Sequence, residues 1–174
     1  GQEVIFLAAG CFWGVEKVFW ETPGVIATAT GYMGGHWPHP TYERVCTGST
    51  GHAETVRIVF DTHRTSAARL VALFFEIHDP TQANGQGPDL GDQYRSELFT
   101  TTAEQQAVAQ KLIADLKARG MDVVTQVTPA GKFWPAEDYH QDYAEKNPTR
   151  YKYYRWNCGR DQRVEEVWSA AKTN

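Results

Sequence analysis

Apolar residues in this chain form short runs typical of strands and recur elsewhere at the spacing of a helix. These two patterns predict where the strands and helices lie. Glu3 to Ala9 is an almost unbroken apolar run that ends at Gly10, which is typical of a buried strand entering a tight turn. Beyond the turn, apolar residues recur at helical spacing until Pro23-Gly24 breaks the pattern, which predicts a helix over Phe12 to Glu21. Cys11 therefore lies at the start of a predicted helix.

The same strand and helix patterns continue toward the C-terminus. The further predicted strands are Val25 to Tyr32, Glu54 to Phe60, Arg95 to Thr100 and Val123 to Val127. The further predicted helices are Ser66 to His78 with Ser66 as its cap, Thr102 to Arg119 with Gly120 as its C-terminal cap, Ala136 to Lys146, and Gln162 to Ala171. Strands that alternate with helices favour an α/β (α+β) fold. We expect a two-layer sandwich in which a mixed sheet is flanked by helices, with a ferredoxin-like core.

The organisation of the chain is simple. Residues 79–94 are polar and rich in Gly, Asn, Gln, Asp and Pro, and long loops of this kind often carry function. No internal repeat or interdomain linker interrupts the pattern. We therefore expect one catalytic domain over residues 1–174, with a mobile C-terminal tail from about residue 147.

Composition and charge remove several classes of function. The formal charge of −4 and the pI near 5.9 provide no basic surface for a phosphate backbone, so nucleic acid is not an expected partner. No apolar run approaches the roughly 20 residues that span a bilayer, so we expect no membrane association. We expect a cytoplasmic monomer, although Gly1 rather than Met opens the sequence and removal of a leader stays open.

The three cysteines are the first candidates for chemistry. Cys11, Cys46 and Cys158 form no Cys-x-x-Cys and have irregular spacing, which argues against a disulfide scaffold and a zinc site. We expect no metal and no cofactor. A thiol attacks as its thiolate, and a helix N-terminus lowers the pKa of a thiol placed there, so Cys11 is the expected nucleophile. Cys46 is interpreted as a structural or bystander thiol, unless the fold brings it within bridging distance of Cys11.

The string Gly10-Cys11-Phe12-Trp13-Gly14 is more specific than the position of its cysteine. Further blocks follow in order over nearly the whole chain: Gly31-Tyr32, Pro40-Thr41-Tyr42, Gly51-His52-Ala53-Glu54, Gly91-Asp92-Gln93-Tyr94-Arg95-Ser96 and Tyr139-His140-Gln141. Together these blocks resemble the peptide-methionine sulfoxide reductase A family, and several blocks in order are far more specific than one. The resemblance implies an oxidoreductase that reduces methionine S-sulfoxide, free or in proteins, to methionine.

The resemblance also implies roles for the residues that do the chemistry. Cys11 is the attacking thiol, and Glu54 is the acid that protonates the sulfoxide oxygen. Tyr42 and Tyr94 are the phenols that hydrogen-bond this oxygen. The S=O oxygen leaves poorly until it gains a proton, so a carboxyl group held neutral in an apolar pocket suits the reaction. Without the motif, a Glu on a strand would simply face water.

Four further positions are implied to bind or orient the substrate. Phe12 and Trp13 resemble the cage for the ε-methyl group of the substrate. Asp89 corresponds to an acidic residue that holds the substrate backbone or an ordered water, and His140 has an orienting role near the pocket. Apart from the resemblance, a single His such as His140 is usually a surface residue, and paired aromatics usually belong to the core.

The expected cycle needs a second thiol. Attack by Cys11 releases methionine and leaves a sulfenic acid, which condenses with a nearby thiol to a disulfide. Cys158 resembles the single tail cysteine of some family branches and is the expected resolving thiol, with thioredoxin or a similar dithiol reducing the Cys11–Cys158 disulfide. The chain departs from the best-known family pattern, because Tyr and Lys stand where a cysteine follows the Asn-Pro that matches Asn147-Pro148.

Three other functions stay open on the sequence alone. A thiol hydrolase or transferase would pair Cys11 with His52 or His140 as general base. A metal site would draw on six histidines and three cysteines, although no pair of them has a familiar ligand spacing. A non-catalytic module would bind oxidised methionine through an aromatic cage without turnover.

Overall fold

The computed structural model describes residues 1–152. Within this range the strands are β1 (Gln2–Ala9), β2 (Val25–Met33), β3 (Ala53–Asp61), β4 (Gly85–Gln86), β5 (Asp89–Leu90), β6 (Ser96–Thr100), β7 (Gln126–Pro129) and β8 (Trp134–Pro135). The helices are α1 (Phe12–Trp20), α2 (Tyr42–Cys46), α3 (Ala67–Glu76), α4 (Ala103–Ala118) and α5 (Tyr143–Lys146), with 3-10 turns at Asp92–Tyr94 and Asp138–His140.

The main sheet is mixed and has the strand order β7-β6-β1-β3-β2-β8. Strand β1 runs antiparallel to both β3 and β6, and β2 runs antiparallel to β3. Strand β7 joins the edge parallel to β6. The central order β6-β1-β3-β2, with α1 after β1 and α3 after β3, is the β-α-β-β-α-β arrangement of a ferredoxin-like core. The predicted mixed sheet with flanking helices is therefore confirmed.

The helices pack on one face of this sheet because that face is apolar. Val56, Ile58 and Phe60 alternate along β3 and are fully buried in the main core, together with Phe12 and Phe19 of α1. Fully burying one such side chain contributes roughly 1.5–3 kcal/mol. The opposite face carries a smaller cluster, which is centred on Phe6, Ala8, Met33, Ala53 and Phe99 and covered in part by Phe133.

Local signals that the sequence carries are found at the helix ends. The Ser66 hydroxyl accepts the Arg69 N–H at 3.2 Å, and the Thr102 hydroxyl accepts the Gln105 N–H at 3.1 Å. Gly120 follows α4 with a φ of 92°, the left-handed conformation that glycine adopts without strain. The predicted caps of α3 and α4 are thus present.

Some predicted boundaries are wrong. The helix predicted over Ala136 to Lys146 is split into a 3-10 turn and the one-turn α5, because Asp142 between them has a φ of 55°. Strand β7 begins three residues later than predicted, and α2, β8 and the β4–β5 hairpin of the 79–94 loop were not predicted. The predicted helix Gln162 to Ala171 lies outside the described residues. Within residues 1–152, no helix combines the length and the apolar character needed to cross a membrane.

Candidate active site

The turn between β1 and α1 presents Cys11 at the start of a helix. Gly10 has a φ of 93°, which turns the chain sharply as it leaves the buried end of β1. Cys11 then occupies the N-cap position of α1 with an extended ψ of 122°, and its side chain makes no capping hydrogen bond. The residue is 6% exposed, so a group that reaches the thiol must enter a largely enclosed site.

Glu54 lies beneath this turn because of its place on β3. It continues the apolar row of Val56 and Ile58 toward the end of the strand where α1 begins, and its position pairs with Tyr32 on β2. Its Oε1 accepts the Phe12 N–H at 3.1 Å, and the residue is 1% exposed. The carboxyl group of Glu54 thus occupies the end position of a buried row that is otherwise apolar.

Tyr42 and Tyr94 reach the same place from two loops. Tyr42 opens α2, and Tyr94 ends the 3-10 turn that precedes β6. Burial raises the pKa of both phenols far above the usual range, and the neighbouring Glu54 and Cys46 raise it further. Both tyrosines therefore stay protonated at physiological pH and act as hydrogen-bond donors. The charges of Cys11 and of Asp89 on β5 also raise the pKa of Tyr94, so both groups lie within electrostatic range of this phenol.

The aromatic side of the site is organised around His140. Its ring is 1% exposed and lies with its centroid 4.3 Å from that of Tyr42 and 5.2 Å from that of Phe12. The Trp13 Nε1–H donates to its Nδ1 at 3.0 Å, and burial lowers the pKa of the imidazole. His140 is therefore a neutral acceptor. Tyr143 stacks on the indole of Trp13 at 3.9 Å between ring centroids, which fixes the plane of this ring.

Two residues that position the site, Glu137 and Gln141, were given no role from the sequence, although Gln141 lies in the Tyr139-His140-Gln141 block. The Glu137 carboxylate accepts the Tyr32 hydroxyl at 2.9 Å through one oxygen and the Tyr42 N–H at 3.0 Å through the other. Although burial acts in the opposite direction, these hydrogen bonds lower the pKa of Glu137. Gln141 accepts the Thr30 N–H at 2.8 Å and donates to the Thr30 carbonyl at 2.9 Å. Polarity alone could not distinguish these side chains from solvent-exposed ones.

Cys46 lies beside the site rather than remote from it. It ends α2 as an exposed residue, and the side chains of Tyr42 and Tyr94 are near enough to its thiol to act on its pKa. Partial burial of the thiol raises its pKa, which makes it a weaker nucleophile. Cys158, the predicted resolving thiol, lies outside the described residues.

The structure bears on two of the alternative functions. His52 is 3% exposed, and its ring nitrogens serve the backbone: Nδ1 accepts the Gly35 N–H at 3.0 Å, and Nε2 is 2.7 Å from the Trp37 carbonyl. His52 is therefore committed to a structural role and not oriented as a base for Cys11. In the part of the chain that the structure describes, no group of three or more His, Cys, Asp or Glu side chains is arranged to hold a metal ion.

Comparison with known proteins gives one consistent result. Residues 3–172 match the family described as peptide methionine sulfoxide reductase. The peptide methionine sulfoxide reductase MsrA of Vibrio parahaemolyticus is 49% identical over 158 residues, which cover 86% of this chain and 73% of that protein. Methionine sulfoxide reductase A of Corynebacterium diphtheriae superposes with a TM-score of 0.77 at 41% identity, over 85% of this chain and 76% of that one. Mxr1 of Saccharomyces cerevisiae in reduced form superposes with a TM-score of 0.81 at 35% identity, over 85% and 87% of the two chains.

Proposed function

The chain belongs to the peptide methionine sulfoxide reductase family, and we propose that Cys11 carries out this reduction with Glu54 as its proton donor. The protein is an oxidoreductase that reduces methionine sulfoxide to methionine. The observation that carries the residue assignment is the convergence of a buried thiol, a buried carboxyl group and two protonated phenols at the N-terminus of α1.

The reaction transfers one oxygen atom between two sulfur atoms. The Cys11 thiolate attacks the sulfoxide sulfur while Glu54 gives a proton to the sulfoxide oxygen. The protonated oxygen then passes to the Cys11 sulfur as the bond between the two sulfurs and the S–O bond of the substrate break, so methionine leaves as the thioether and Cys11 becomes a sulfenic acid. The substrate sulfur is reduced by two electrons, and the Cys11 sulfur is oxidised by two.

The surroundings of Glu54 suit a proton donor. Removal of a carboxylate from water disfavours its charged form, and Glu54 is almost fully enclosed. Because Oε1 already accepts the Phe12 N–H, the buried Oε2 is the oxygen that carries the proton toward the substrate. The Phe12 N–H also fixes the direction of the carboxyl group, so donation requires little reorganisation.

The remaining side chains hold the sulfoxide group in place. Tyr42 and Tyr94 donate hydrogen bonds to its oxygen, which strengthens as an acceptor when negative charge develops in the transition state. Phe12 and Trp13 form the walls that receive the ε-methyl group, and His140 orients Trp13 through the indole N–H. Asp89 at the rim holds the substrate backbone or an ordered water.

A dithiol must restore the enzyme after each turnover. The proposed route condenses the Cys11 sulfenic acid with the Cys158 thiol, which releases water and forms a disulfide that thioredoxin or a similar dithiol then reduces. We place this chemistry in the cytoplasm, because cytosolic dithiol systems keep such thiols reduced. We propose that the chain acts as a monomer. Cys46 is the alternative partner for Cys11, because its thiol lies beside Tyr42 and Tyr94.

The test is a product assay with separated epimers. Wild type, Cys11→Ser and Cys158→Ser are each given the S or the R epimer of N-acetylated methionine sulfoxide, with and without dithiothreitol. We expect the wild type to reduce only the S epimer and Cys11→Ser to reduce neither. Without reductant, Cys158→Ser should form one methionine per enzyme and retain a sulfenic acid that dimedone traps.

Two results would change the assignment. Methionine formation by Cys11→Ser at the rate of the wild type would remove Cys11 from the reaction. A Cys11–Cys46 disulfide in the Cys158→Ser variant, detected by mass spectrometry, would transfer the resolving role to Cys46.

A further inference from the structure

A cavity beside Trp13 is lined by none of Cys11, Glu54, Tyr42 and Tyr94. It has a volume of about 360 Å³ and is bounded by α1, by α5 and by Pro148. Trp13 and Trp20 supply its aromatic walls from one side of α1. Trp20 is 49% exposed, which is high for an indole that has no role in the core.

The length of this cavity matches a short piece of polypeptide. Trp13 and Trp20 are seven residues apart on α1, which corresponds to roughly 10 Å at 1.5 Å per residue. An extended chain covers that distance in about three residues at 3.3–3.6 Å each. Because Trp13 also forms a wall of the sulfoxide site, a polypeptide whose oxidised methionine lies there can continue directly into the cavity.

The charge of the cavity selects the kind of side chain that fits. Four carboxyl groups line it, from Glu16, Glu21, Asp142 and Glu145, against one ammonium group from Lys17. Lys17 is already paired with Glu21 at 2.5 Å. The lining is therefore negative, and a ligand that enters it meets acidic groups beside the exposed indole of Trp20.

Not all of these carboxyl groups are available to a ligand. Glu16 is 2% exposed, and its oxygens accept the Asp142 N–H at 2.6 Å and the Thr28 hydroxyl at 3.1 Å. Glu16 thus belongs to the wall and holds α1 against the start of α5. Glu145 is exposed at the mouth of the cavity, where it is the carboxylate best placed to meet an incoming cation.

We propose that this cavity is a subsite for a lysine or arginine side chain that lies within about three residues of the oxidised methionine in a polypeptide substrate. The proposal rests on the proposed function of Cys11. A cation over an indole and beside a carboxylate gains from both the ring quadrupole and the negative charge. Free methionine sulfoxide has no flanking residue to place there, so the subsite favours oxidised proteins with basic segments.

The test compares peptides that differ in one flanking side chain. Two series of hexapeptides carry methionine S-sulfoxide, with Arg or with Glu at positions one to three residues away on either side. We expect kcat/KM to be about three- to fivefold higher for Arg than for Glu at the best position, mainly through KM. Glu145→Lys should abolish or reverse this ratio. Glu76→Lys, which changes an exposed acid on α3 outside the cavity, should leave the ratio unchanged.

A binding measurement separates the subsite from the reaction. The affinity of the Cys11→Ser variant for the same peptides, measured by calorimetry, requires no turnover. Tighter binding of the Arg peptides with no turnover in the wild type would support the subsite and refute the proposed function. Equal affinities and equal kcat/KM for the Arg and Glu series would overturn the subsite. An equal loss of rate for both series in Glu145→Lys, with slower formation of the Cys11–Cys158 disulfide, would also overturn it and assign the cavity to residues 153–174 of the chain itself.

Discussion

The turn that carries Cys11 and the segment of residues 136–146 meet at one site but are held there in different ways. The turn is fixed by the sheet, because β1 pairs with strands on both sides and Phe12 and Phe19 are fully buried beneath α1. Residues 136–146 follow the two-residue strand β8, donate the Ala136 N–H to the Thr30 carbonyl, and form a 3-10 turn and a one-turn helix. Their position depends on individual side chains that bond to other elements.

Those side chains form a short series of anchors. Glu137 bonds to Tyr32 and to the Tyr42 N–H, and Gln141 bonds to both backbone groups of Thr30. One residue further, the Asp142 N–H donates to Glu16 of α1. Cys11, the proposed nucleophile, thus lies on an element fixed by the sheet, whereas residues 136–146 are positioned by polar bonds that a single substitution or a change of pH can alter.

The largest expected effect tests the turn that carries Cys11, together with Glu54 beneath it. Glu54→Gln keeps the size and the Phe12 contact of the side chain but cannot supply the proton. We expect substrate affinity to be retained and the rate of a single turnover at neutral pH to fall by about 10²–10⁴-fold. Quenched-flow measurement of methionine formation checks this, with Glu76→Gln as an exposed control. An undiminished rate would show that the proton comes from elsewhere.

The next largest effect tests how residues 136–146 are held in place. Gln141→Ala removes three hydrogen bonds, two to Thr30 and one to the Ala136 carbonyl at 3.0 Å. At roughly 1 kcal/mol each, we expect a loss of about 3 kcal/mol in the free energy of unfolding, measured with urea. KM should rise as well, because His140 precedes Gln141 and orients Trp13.

A matched substitution separates this effect from a general loss of amide side chains. Gln126→Ala changes an exposed glutamine on β7 and should alter stability by less than about 0.5 kcal/mol. If Gln141→Ala behaved like Gln126→Ala, the bonds to Thr30 would not be what holds residues 136–146, and the contrast between the two regions would fail.

The smallest expected effect is a dependence of stability on pH, which arises at Glu16, where α1 bonds to Asp142. Burial raises the pKa of Glu16 from 4.5 to about 6, so the folded protein binds a proton there more tightly than the unfolded chain does. Stability from this group is fully present below pH 4.5 and is lost as pH rises through about 6, a total of about 2 kcal/mol. Urea unfolding from pH 4 to 8 should show this loss in the wild type and not in Glu16→Gln. Parallel curves for the two proteins would exclude Glu16 as the titrating group.

The sequence predicts the two regions unequally, for a physical reason. The β1-turn-α1 unit and the row along β3 follow from apolar periodicity, which is a property of consecutive residues. Ser66 and Gly120 were identified as caps because a cap acts on the residues next to it. In contrast, Glu137 and Gln141 bond to residues about 100 positions away, so no local pattern predicts these contacts, although Gln141 belongs to a family block.

The site residues show the same division. Position at a predicted helix start was enough to select Cys11, whereas Glu54, Tyr42 and Tyr94 were selected through a family motif, because their side chains converge only when three separate elements fold together. Cys46 was interpreted as a bystander, and its proximity to the two tyrosines could not be foreseen from its neighbours in the chain.

Strand β8 limits where an extended segment of another chain can pair with the sheet. Oxidised proteins are often partly unfolded and expose strands that seek a free sheet edge. At the end of β2 nearest the site, the edge is occupied by Trp134 and Pro135, and the Gln141 amide occupies the Thr30 backbone groups that follow. This end of β2 therefore offers few free backbone groups with which an exposed strand of an oxidised protein could pair.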